Sequence, residues 1–292
     1  MSILLGLLSL IASIAIPILI MVFTNYELIS LGIFFVIPAG AIAIGYVCGF
    51  GLFKGLILSS KRITAKHFVI VMLMALISFT SIKYITYSLT CINTETGEIE
   101  YSMDGDHVSN YEVPGYGSMT FLNYSKLMIE STPISFSYKS RSMGEVDNPT
   151  VSWVFAIINF IGVFIGAVAA GIGFKDKHQY CESCNNYKKS KKIFKILKTD
   201  GQSFFEELEM LTNDVSDSTS LKQIVEKYGK VKLGNAFFEG TLIYCNNCRK
   251  STLSVKLFEV SSTNKIHEND EFEYNVNLNF NIAREYIKED VA

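Results

Sequence analysis

The chain has 292 residues, of which 49% are hydrophobic and only 18% are charged. Soluble domains contain about 25% charged residues, so this composition argues against a wholly soluble protein and indicates lipid-facing helices. The formal net charge of -2 at pH 7 gives no argument for a nucleic-acid-binding protein.

Four apolar segments are long enough to be spanning helices, each of which needs about 20 mostly apolar residues. They cover residues 3–23, 29–53, 67–89 and 151–174. The first contains Ala12-Ser13-Ile14-Ala15, which loosely matches the cleavage site of a signal peptide. However, no Lys or Arg precedes this segment and its apolar run continues past Ala15, so we predict a retained span. Pro38 is expected to kink the second span.

Basic residues are distributed asymmetrically around these segments. Lys61, Arg62 and Lys66 lie between the second and third segments, and two more lysines follow the fourth. A further basic run in the tail consists of Lys188, Lys189, Lys191, Lys192, Lys195 and Lys198. The positive-inside rule therefore places both termini in the cytoplasm and residues 90–150 outside, in a protein of the cytoplasmic (inner) membrane.

The basic run of six lysines is expected to meet the anionic head groups of membrane lipids, because basic segments that follow a span commonly do so. Tyr187 and Phe194 are interleaved with the lysines, which is also a pattern for nucleic-acid binding. We disfavour nucleic acid as a partner because acidic residues later in the tail offset this positive charge.

Glycines recur at four-residue spacing in two of the apolar segments. They are Gly45, Gly49, Gly51 and Gly55 in the second segment, and Gly162 and Gly166 in the fourth. Such spacing allows the backbones of two helices to approach closely in lipid. We expect these glycines to pack the four helices into one bundle, and the alternative is that they form the face of a homo-oligomer.

Residues 90–150 form an acidic segment between the third and fourth spans. We predict a short hairpin near its start, with turns at Thr96-Gly97 and Asp104-Gly105. Apolar residues over positions 121–129 indicate a short helix that rests on the bilayer or caps the bundle. Alternation over Ile134–Tyr138 indicates a strand.

The most specific chemical signal is a pair of C-x-x-C motifs in the tail. Cys181 and Cys184 form the first motif, and Cys245 and Cys248 form the second. Two such motifs supply the four sulfur ligands of a tetrahedral zinc site. The rival is a redox motif, which would require one C-x-x-C within a βαβ pattern that the tail lacks. We predict structural Zn²⁺, because four thiolates leave no open position for catalysis.

The tail, residues 175–292, is predicted to be a small α+β zinc-ribbon-like domain. Alternating apolar residues after the second motif and over residues 272–282 indicate an antiparallel sheet of about three strands. In the insert between the motifs, Ser203 and Glu206 fit a capping box at the start of one helix, and Ser220–Tyr228 fits a second helix. The fold class is therefore a membrane bundle of four transmembrane helices with a small cytoplasmic α+β domain. We predict that this small domain lacks a large core of its own, so that zinc supplies folding energy to it.

Several short sequences support a resemblance to a known family. They are Ile37-Pro38-Ala39-Gly40-Ala41, Phe121-Leu122-Asn123-Tyr124, Ser131-Thr132-Pro133-Ile134-Ser135-Phe136, Ile161-Gly162-Val163-Phe164-Ile165-Gly166-Ala167 and both cysteine pairs. Through them the chain resembles uncharacterised bacterial membrane proteins that have four predicted spans, an exported segment between the third and fourth, and a C-terminal zinc-ribbon-like region. The resemblance covers most of the chain and implies this architecture, but it implies no activity.

The sequence contains no Ser/His/Asp set, no Gly-rich phosphate loop and no HExxH motif, and its four histidines are scattered. We therefore predict a non-enzymatic sensor, scaffold or accessory protein, which couples the outer segment to a cytoplasmic domain that binds a protein partner. One alternative is a membrane-tethered zinc ribbon that binds nucleic acid. Another is a small transporter or pore, with a wet path lined by Ser78, Thr80, Ser81 and Asn159.

Overall fold

The structure, a computed structural model, describes most of the chain. The described residues are 1–32, 37–93, 99–101, 105–131, 134–138, 141–146, 148–213, 220–228, 236–261 and 265–278. The chain divides into two compact units, Met1–Lys177 and His178–Ala292. The first unit contains the four apolar segments, and the second contains both cysteine pairs.

The first unit consists of long helices with a small mixed region between the third and the last of them. In chain order its elements are α1 (Ser2–Thr24), α2 (Ala39–Leu58), α3 (Ala65–Leu89), β1 (Thr90–Ile92), β2 (Ile99–Tyr101), β3 (Asp106–His107), β4 (Glu112–Val113), β5 (Gly117–Ser118), α4 (Phe121–Ser131), β6 (Ile134–Tyr138), β7 (Arg141–Val146) and α5 (Pro149–Lys177). Helices α1, α2, α3 and α5 are each long and apolar enough to cross a membrane.

Helix α2 begins later than the hydropathy of its segment suggests. It starts at Ala39, and Pro38 occupies the capping position immediately before it. Proline is tolerated at a helix start because its missing N–H would have no partner within the helix there. The predicted kink at Pro38 is therefore wrong, and the residues Leu28–Ser30 form a short 3-10 turn rather than part of the helix.

Helix α2 packs against both α1 and α5. A Cβ atom added to Gly51 would overlap a backbone carbonyl oxygen of α1, and one added to Gly45 would overlap a carbonyl oxygen of α5. Gly166 of α5 approaches the backbone of α2 equally closely. The other glycines singled out from the sequence also face neighbouring segments of the same chain, and they are Gly49, Gly55 and Gly162. All six therefore allow close packing of helices within one chain.

Buried hydroxyl groups connect α1 to two of its neighbours. Ser9 Oγ donates a hydrogen bond of 2.8 Å to the backbone carbonyl oxygen of Cys48 in α2. Ser13 Oγ lies 2.9 Å from Ser78 Oγ in α3, and both hydroxyls are buried. Buried hydroxyl groups require hydrogen-bond partners. Because these partners lie on other helices, the bonds determine which face of α1 turns inward.

The region between α3 and α5 is more extensive than the predicted hairpin. Strand β1 pairs antiparallel with both β2 and β3, which gives a three-stranded sheet of order β2-β1-β3. The predicted turn at Thr96-Gly97 lies outside the described residues. Helix α4 coincides with the predicted amphipathic helix, and the strand predicted over Ile134–Tyr138 pairs with β7.

Two polar contacts connect different elements of the first unit. Lys83 of α3 forms an ion pair of 2.8 Å with Glu27, which follows α1. The indole Nε1 of Trp153 in α5 donates to Glu130 Oε1 in α4 at 3.1 Å. Hydrogen bonds from Tyr116 and Trp153 lower the pKa of Glu130. These contacts join the loop after α1 to α3, and α4 to the first turn of α5.

The second unit is an antiparallel sheet with two helices. Its elements are β8 (Tyr180–Cys181), β9 (Asn186–Tyr187), β10 (Lys189–Leu197), α6 (Gly201–Asn213), α7 (Ser220–Tyr228), β11 (Phe237–Tyr244), β12 (Ser251–Val260) and β13 (Ile266–Leu278). The main sheet has four strands in the order β10-β11-β12-β13, where three were predicted. The additional strand is β10, which carries most of the basic run.

The second unit has a hydrophobic core of its own, contrary to the prediction that it would lack a large one. One face of the sheet and one face of each helix bury side chains against one another. The buried core residues are Phe194, Ile196, Phe204, Leu208, Leu221, Ile224, Phe238, Leu242, Tyr244, Leu253, Val255, Leu257 and Leu278. Burial of these apolar side chains contributes to the stability of the sheet in addition to any contribution from the cysteine cluster.

The insert between the cysteine pairs is helical, as predicted, but one helix starts earlier. Helix α6 begins at Gly201, so Ser203 lies inside its first turn and is not the capping residue. The predicted capping box of Ser203 with Glu206 is therefore wrong. The second helix, Ser220–Tyr228, has the predicted bounds.

Candidate metal centre

The four paired cysteines come together at one point of the second unit. The Sγ atoms of Cys181, Cys184, Cys245 and Cys248 all lie within 4.8 Å of one another. The Sγ atoms of Cys181 and Cys248 are 3.5 Å apart. Sulfur atoms at the corners of a tetrahedral zinc site with Zn–S distances of about 2.3 Å are separated by about 3.8 Å. The cluster can therefore hold a metal ion with little adjustment of its side chains.

Strand register explains why residues so distant in sequence meet. The first pair lies in the turn of the β8–β9 hairpin, and β10 follows that hairpin directly. The second pair lies in the turn between β11 and β12. Because Lys189 at the start of β10 pairs with Tyr244 at the end of β11, the two turns are brought to the same end of the sheet.

The two cysteine turns share one backbone geometry. Each is followed by a residue in the left-handed region, Asn185 with φ of 50° after Cys184, and Arg249 with φ of 63° after Cys248. Asparagine adopts this conformation more readily than most residues, whereas arginine adopts it at some cost in strain. In the second turn, the Cys245 N–H donates to the carbonyl oxygen of Lys250 at 3.0 Å. The left-handed residue reverses the chain, so that both sulfur atoms of a pair lie on the same side of the turn.

The thiols influence one another electrostatically. A hydrogen bond from the backbone of Lys250 lowers the pKa of Cys248 to about 7. Burial, together with hydrogen bonds among the thiols, raises the pKa of Cys184 to about 12, and burial also raises the pKa of Cys181. Four clustered thiolates repel one another, so they require a cation to be ionised together. A divalent metal ion supplies that charge when it displaces the protons.

Cysteine pairing is the competing explanation for the cluster. None of the six cysteines, all of which lie in the described part of the chain, forms a disulfide. Cys48 and Cys91 belong to the first unit and take no part in the cluster. Among the described residues, the four paired cysteines are the one group of His, Cys, Asp and Glu side chains placed to hold a metal ion.

Comparisons with known proteins add nothing to this geometry. No protein family, no curated protein and no solved structure matches the chain. The function is therefore inferred from the cluster, the long apolar helices and the charges around them.

The basic run does not form one continuous charged surface. On β10, Lys192 and Lys195 both form ion pairs with Glu239 of β11, at 2.6 and 3.3 Å. Lys198 pairs with Glu259 at 2.9 Å. Three of the six predicted lipid-binding lysines are therefore paired with carboxylates of the same unit. Lys188 immediately precedes β10, and Lys189 and Lys191 lie in its first residues, at the cysteine end of the strand.

The aromatic residues of the basic run are also engaged. Phe194 is buried in the core, where its ring lies over Gly240. Tyr187 packs edge-on against Tyr180 in the β8–β9 hairpin, with ring centroids 5.0 Å apart. Recognition of single-stranded nucleic acid uses exposed aromatic rings on which bases stack. Phe194 is too deeply buried to act as such a stacking platform, and Tyr187 is half-buried.

Glu239 is a structural residue that the sequence interpretation overlooked. Its side chain is only 7% exposed, although its two lysine partners are largely exposed. The sequence does contain an indication of this role, because Glu239 is the only charged residue in the stretch Phe237–Tyr244. A buried carboxylate requires a charged partner, and its partners come from the neighbouring strand.

Replacing Glu239 with glutamine is expected to lower the free energy of unfolding of the second unit by about 1–2 kcal/mol, because a buried charge-assisted interaction is lost. Protease resistance of the full-length protein in increasing urea measures this change. The matched control is Glu259→Gln, which removes a pair that is about half exposed on both sides and should cost less than about 1 kcal/mol. Equal losses in the two variants would contradict a special role for Glu239.

The residues proposed from the sequence as a transport path are not gathered together. Ser78 is buried and bonded to Ser13 at a helix contact. Thr80 is exposed, and its hydroxyl donates to the carbonyl oxygen of Leu76 in its own helix. Ser81 and Asn159 are half-buried. Ser78 and Thr80 lie on nearly opposite faces of α3, because two residues correspond to about 200° of helix rotation.

Proposed function

We propose that the protein is a non-enzymatic, multi-pass protein of the bacterial cytoplasmic membrane, in which four spans carry a zinc-stabilised cytoplasmic platform for a protein partner. The observation that carries the proposal is the presence, in one chain, of four helices of spanning length and a saturated four-cysteine cluster. The segment between α3 and α5 would lie on the outer side and communicate with the platform through the spans.

The surfaces of the long helices support a location in lipid. Aliphatic side chains at four-residue spacing form exposed stripes along them. Examples are Ile3, Leu7 and Ile11 on α1, and Ile157, Ile161 and Ile165 on α5. Apolar patches of this extent are rare on soluble monomers, whereas lipid tails cover them at no cost.

Charged and aromatic residues mark opposite ends of these helices. Lys61 and Arg62 lie in the turn between α2 and α3. At the other end of α3, Tyr84 is 57% exposed, and Trp153 in the first turns of α5 is 41% exposed. Tyr and Trp concentrate at membrane interfaces, and Lys and Arg concentrate on the cytoplasmic side. This distribution supports both termini in the cytoplasm and the segment between α3 and α5 outside.

A cytoplasmic second unit also supports zinc as the metal. The cytoplasm keeps thiols reduced, so that paired cysteines are available as ligands rather than as disulfides. Zinc is the metal most often held by four thiolates in structural sites. Because four protein ligands fill its coordination shell, zinc here would brace the two cysteine turns and would activate no water.

The membrane location can be tested with Trp153, which is the only tryptophan of the chain. In liposomes, bromine atoms attached near the head-group end of the lipid tails should quench its fluorescence more strongly than bromines near the tail ends. The physical reason is that interfacial indoles lie close to the head groups. Steady-state fluorescence of the full-length protein in each lipid measures the effect.

The matched control moves the tryptophan along the same helix. In the double variant Trp153→Phe, Ile165→Trp, the indole lies twelve residues further on, about 18 Å along the helix axis. This position is close to the bilayer centre, so deep bromines should now quench more strongly. Absence of quenching in both proteins would overturn the membrane proposal.

A further inference from the structure

The end of the second unit that carries the cysteines is basic. We call this end the knuckle tip and define it as residues 181–189 and 245–250. Lys189, Arg249 and Lys250 are exposed there, and Lys188 is half-buried. The one carboxylate in the knuckle tip is that of Glu182. The two cysteine turns thus bring four cationic side chains together from positions about sixty residues apart in the chain.

Charge is unevenly distributed along the sheet. Strand pairing places Tyr244, Ser251 and Leu278 side by side at the end of the sheet that adjoins the knuckle tip. At the opposite end, Val260 pairs with Ile266, and the acidic residues Glu259 and Glu268 lie close to that pair. Five lysines that lie away from the knuckle tip form ion pairs with carboxylates, and they are Lys192, Lys195, Lys198, Lys227 and Lys256. The knuckle tip itself contains four cationic residues and one carboxylate, so the cysteine end of the unit carries a net positive charge.

The remaining surface of the knuckle tip is polar and lacks exposed anchors for a protein or a nucleic acid. Asn185, Asn246 and Asn247 are exposed around the cysteines. Energetically important residues of protein interfaces are typically Trp, Tyr and Arg in buried pockets. Tyr187, the one aromatic residue of the knuckle tip, is half-buried and packs against Tyr180. A polar surface with several cations instead complements the phosphates of lipid head groups.

We propose that the knuckle tip docks onto anionic lipid head groups at the cytoplasmic face of the membrane. The inference rests on the proposed function in so far as it requires a cytoplasmic second unit beside a membrane. It changes the set of lipid-binding residues expected from the sequence, because Lys192, Lys195 and Lys198 are engaged by carboxylates. Arg249 and Lys250, which lie outside the basic run, join Lys188 and Lys189 in their place.

The metal cluster contributes to this docking by holding the cations in place. Lys188 and Lys189 follow the first cysteine turn, and Arg249 and Lys250 follow the last ligand of the second. When both turns bind one metal ion, the four cations are presented together. Less conformational freedom is then lost on contact with the lipid surface.

The test uses the full-length protein in nanodiscs of phosphatidylcholine alone or mixed with phosphatidylglycerol. Backbone hydrogen exchange of residues 245–250 should be several-fold slower in the anionic discs, and high salt should remove the difference. In the triple variant Lys189→Gln, Arg249→Asn, Lys250→Gln, the protection should be lost while the bound zinc is retained. Asparagine is chosen at position 249 because it tolerates the left-handed backbone.

A control variant carries the same change of charge away from the knuckle tip, Lys198→Gln, Lys227→Gln, Lys265→Gln, and should keep the protection. Equal exchange in both discs, or protection that persists in the knuckle-tip variant, would overturn the proposal. The proposal would also be overturned if duplex DNA, added to the protein in phosphatidylcholine discs, protected residues 245–250 from exchange more strongly than the anionic discs do. If Trp153 shows interfacial quenching while the knuckle tip stays unprotected, this inference alone has failed and the membrane proposal stands.

Discussion

Replacing Cys245 with serine is expected to remove the metal from the protein and to release both cysteine turns. The variant lacks one of four thiolate ligands, and the coordination shell cannot close without it. Structural zinc contributes about 10–16 kcal/mol to the folding of zinc-finger peptides, which is comparable with the whole stability of about 5–15 kcal/mol of an ordinary domain. The loss of folding free energy should therefore be large in those parts of the second unit that depend mainly on the metal for their stability.

The effect should be concentrated at one end of the second unit. The β8–β9 hairpin has strands of only two residues each, whereas the four-stranded sheet has its own core. Trypsin should therefore cut rapidly after Lys188, Lys189, Arg249 and Lys250, while the sheet stays resistant for longer. Zinc content per chain and the time course of tryptic cleavage measure the two effects.

Cys48→Ala is the matched control, because Cys48 is buried in the first unit and lies outside the cluster. It should leave the zinc content and the tryptic pattern unchanged. Treatment of the unaltered protein with a strong chelator should reproduce the behaviour of Cys245→Ser. A Cys245→Ser protein that keeps its metal and resists trypsin would show that the cluster is not the metal site.

Replacing Gly166 with alanine is expected to destabilise the first unit by about 1–3 kcal/mol, the usual cost of overpacking. The new Cβ atom would overlap the backbone carbonyl oxygen of Ile42 in α2. A side chain could rotate away from such an overlap, but a helix backbone cannot, so α2 and α5 must separate. The thermal unfolding midpoint in detergent micelles should fall.

The control is the glycine-to-alanine substitution at Gly173, which lies seven residues after Gly166 in α5. A Cβ atom on Gly173 meets no atom within 4 Å, so Gly173→Ala creates no overlap. It should be neutral or stabilising by up to about 1 kcal/mol, because alanine favours the helix more than glycine does. If both variants unfold at the same temperature, close packing of α2 against α5 is not what requires Gly166.

The sequence predicted the members of the four-cysteine cluster because the chemistry of a C-x-x-C motif is local. A C-x-x-C motif places two sulfur atoms on one turn whatever surrounds it, so Cys181, Cys184, Cys245 and Cys248 could be selected without a fold. The partners of Glu239 could not be selected in this way. They come from β10, and which strand neighbours β11 depends on contacts between residues far apart in the chain.

Strand β10 was missed for a specific physical reason. Its pairing with β11 shifts between Lys192 and Phe194, and this irregularity breaks the alternation that identifies a strand. Its many lysines then suggested a charged surface. Similarly, hydropathy did not locate the start of α2, because the apolar run continues through Pro38 although the helix does not. Hydrophobicity measures solvent preference, whereas a helix start depends on backbone hydrogen bonding.

The distance in sequence between the two cysteine pairs affects how the protein is made. Cys245 follows Cys184 by 61 residues, and those residues include β10, both helices and β11. At a synthesis rate of about 5–20 residues per second, the second pair is synthesised about 3–12 s after the first. During this interval the ribosome-bound chain has only two of the four thiols of the cluster. A metal ion that needs all four thiolates would therefore be captured late in biosynthesis, only after the strand that leads to Cys245 has emerged.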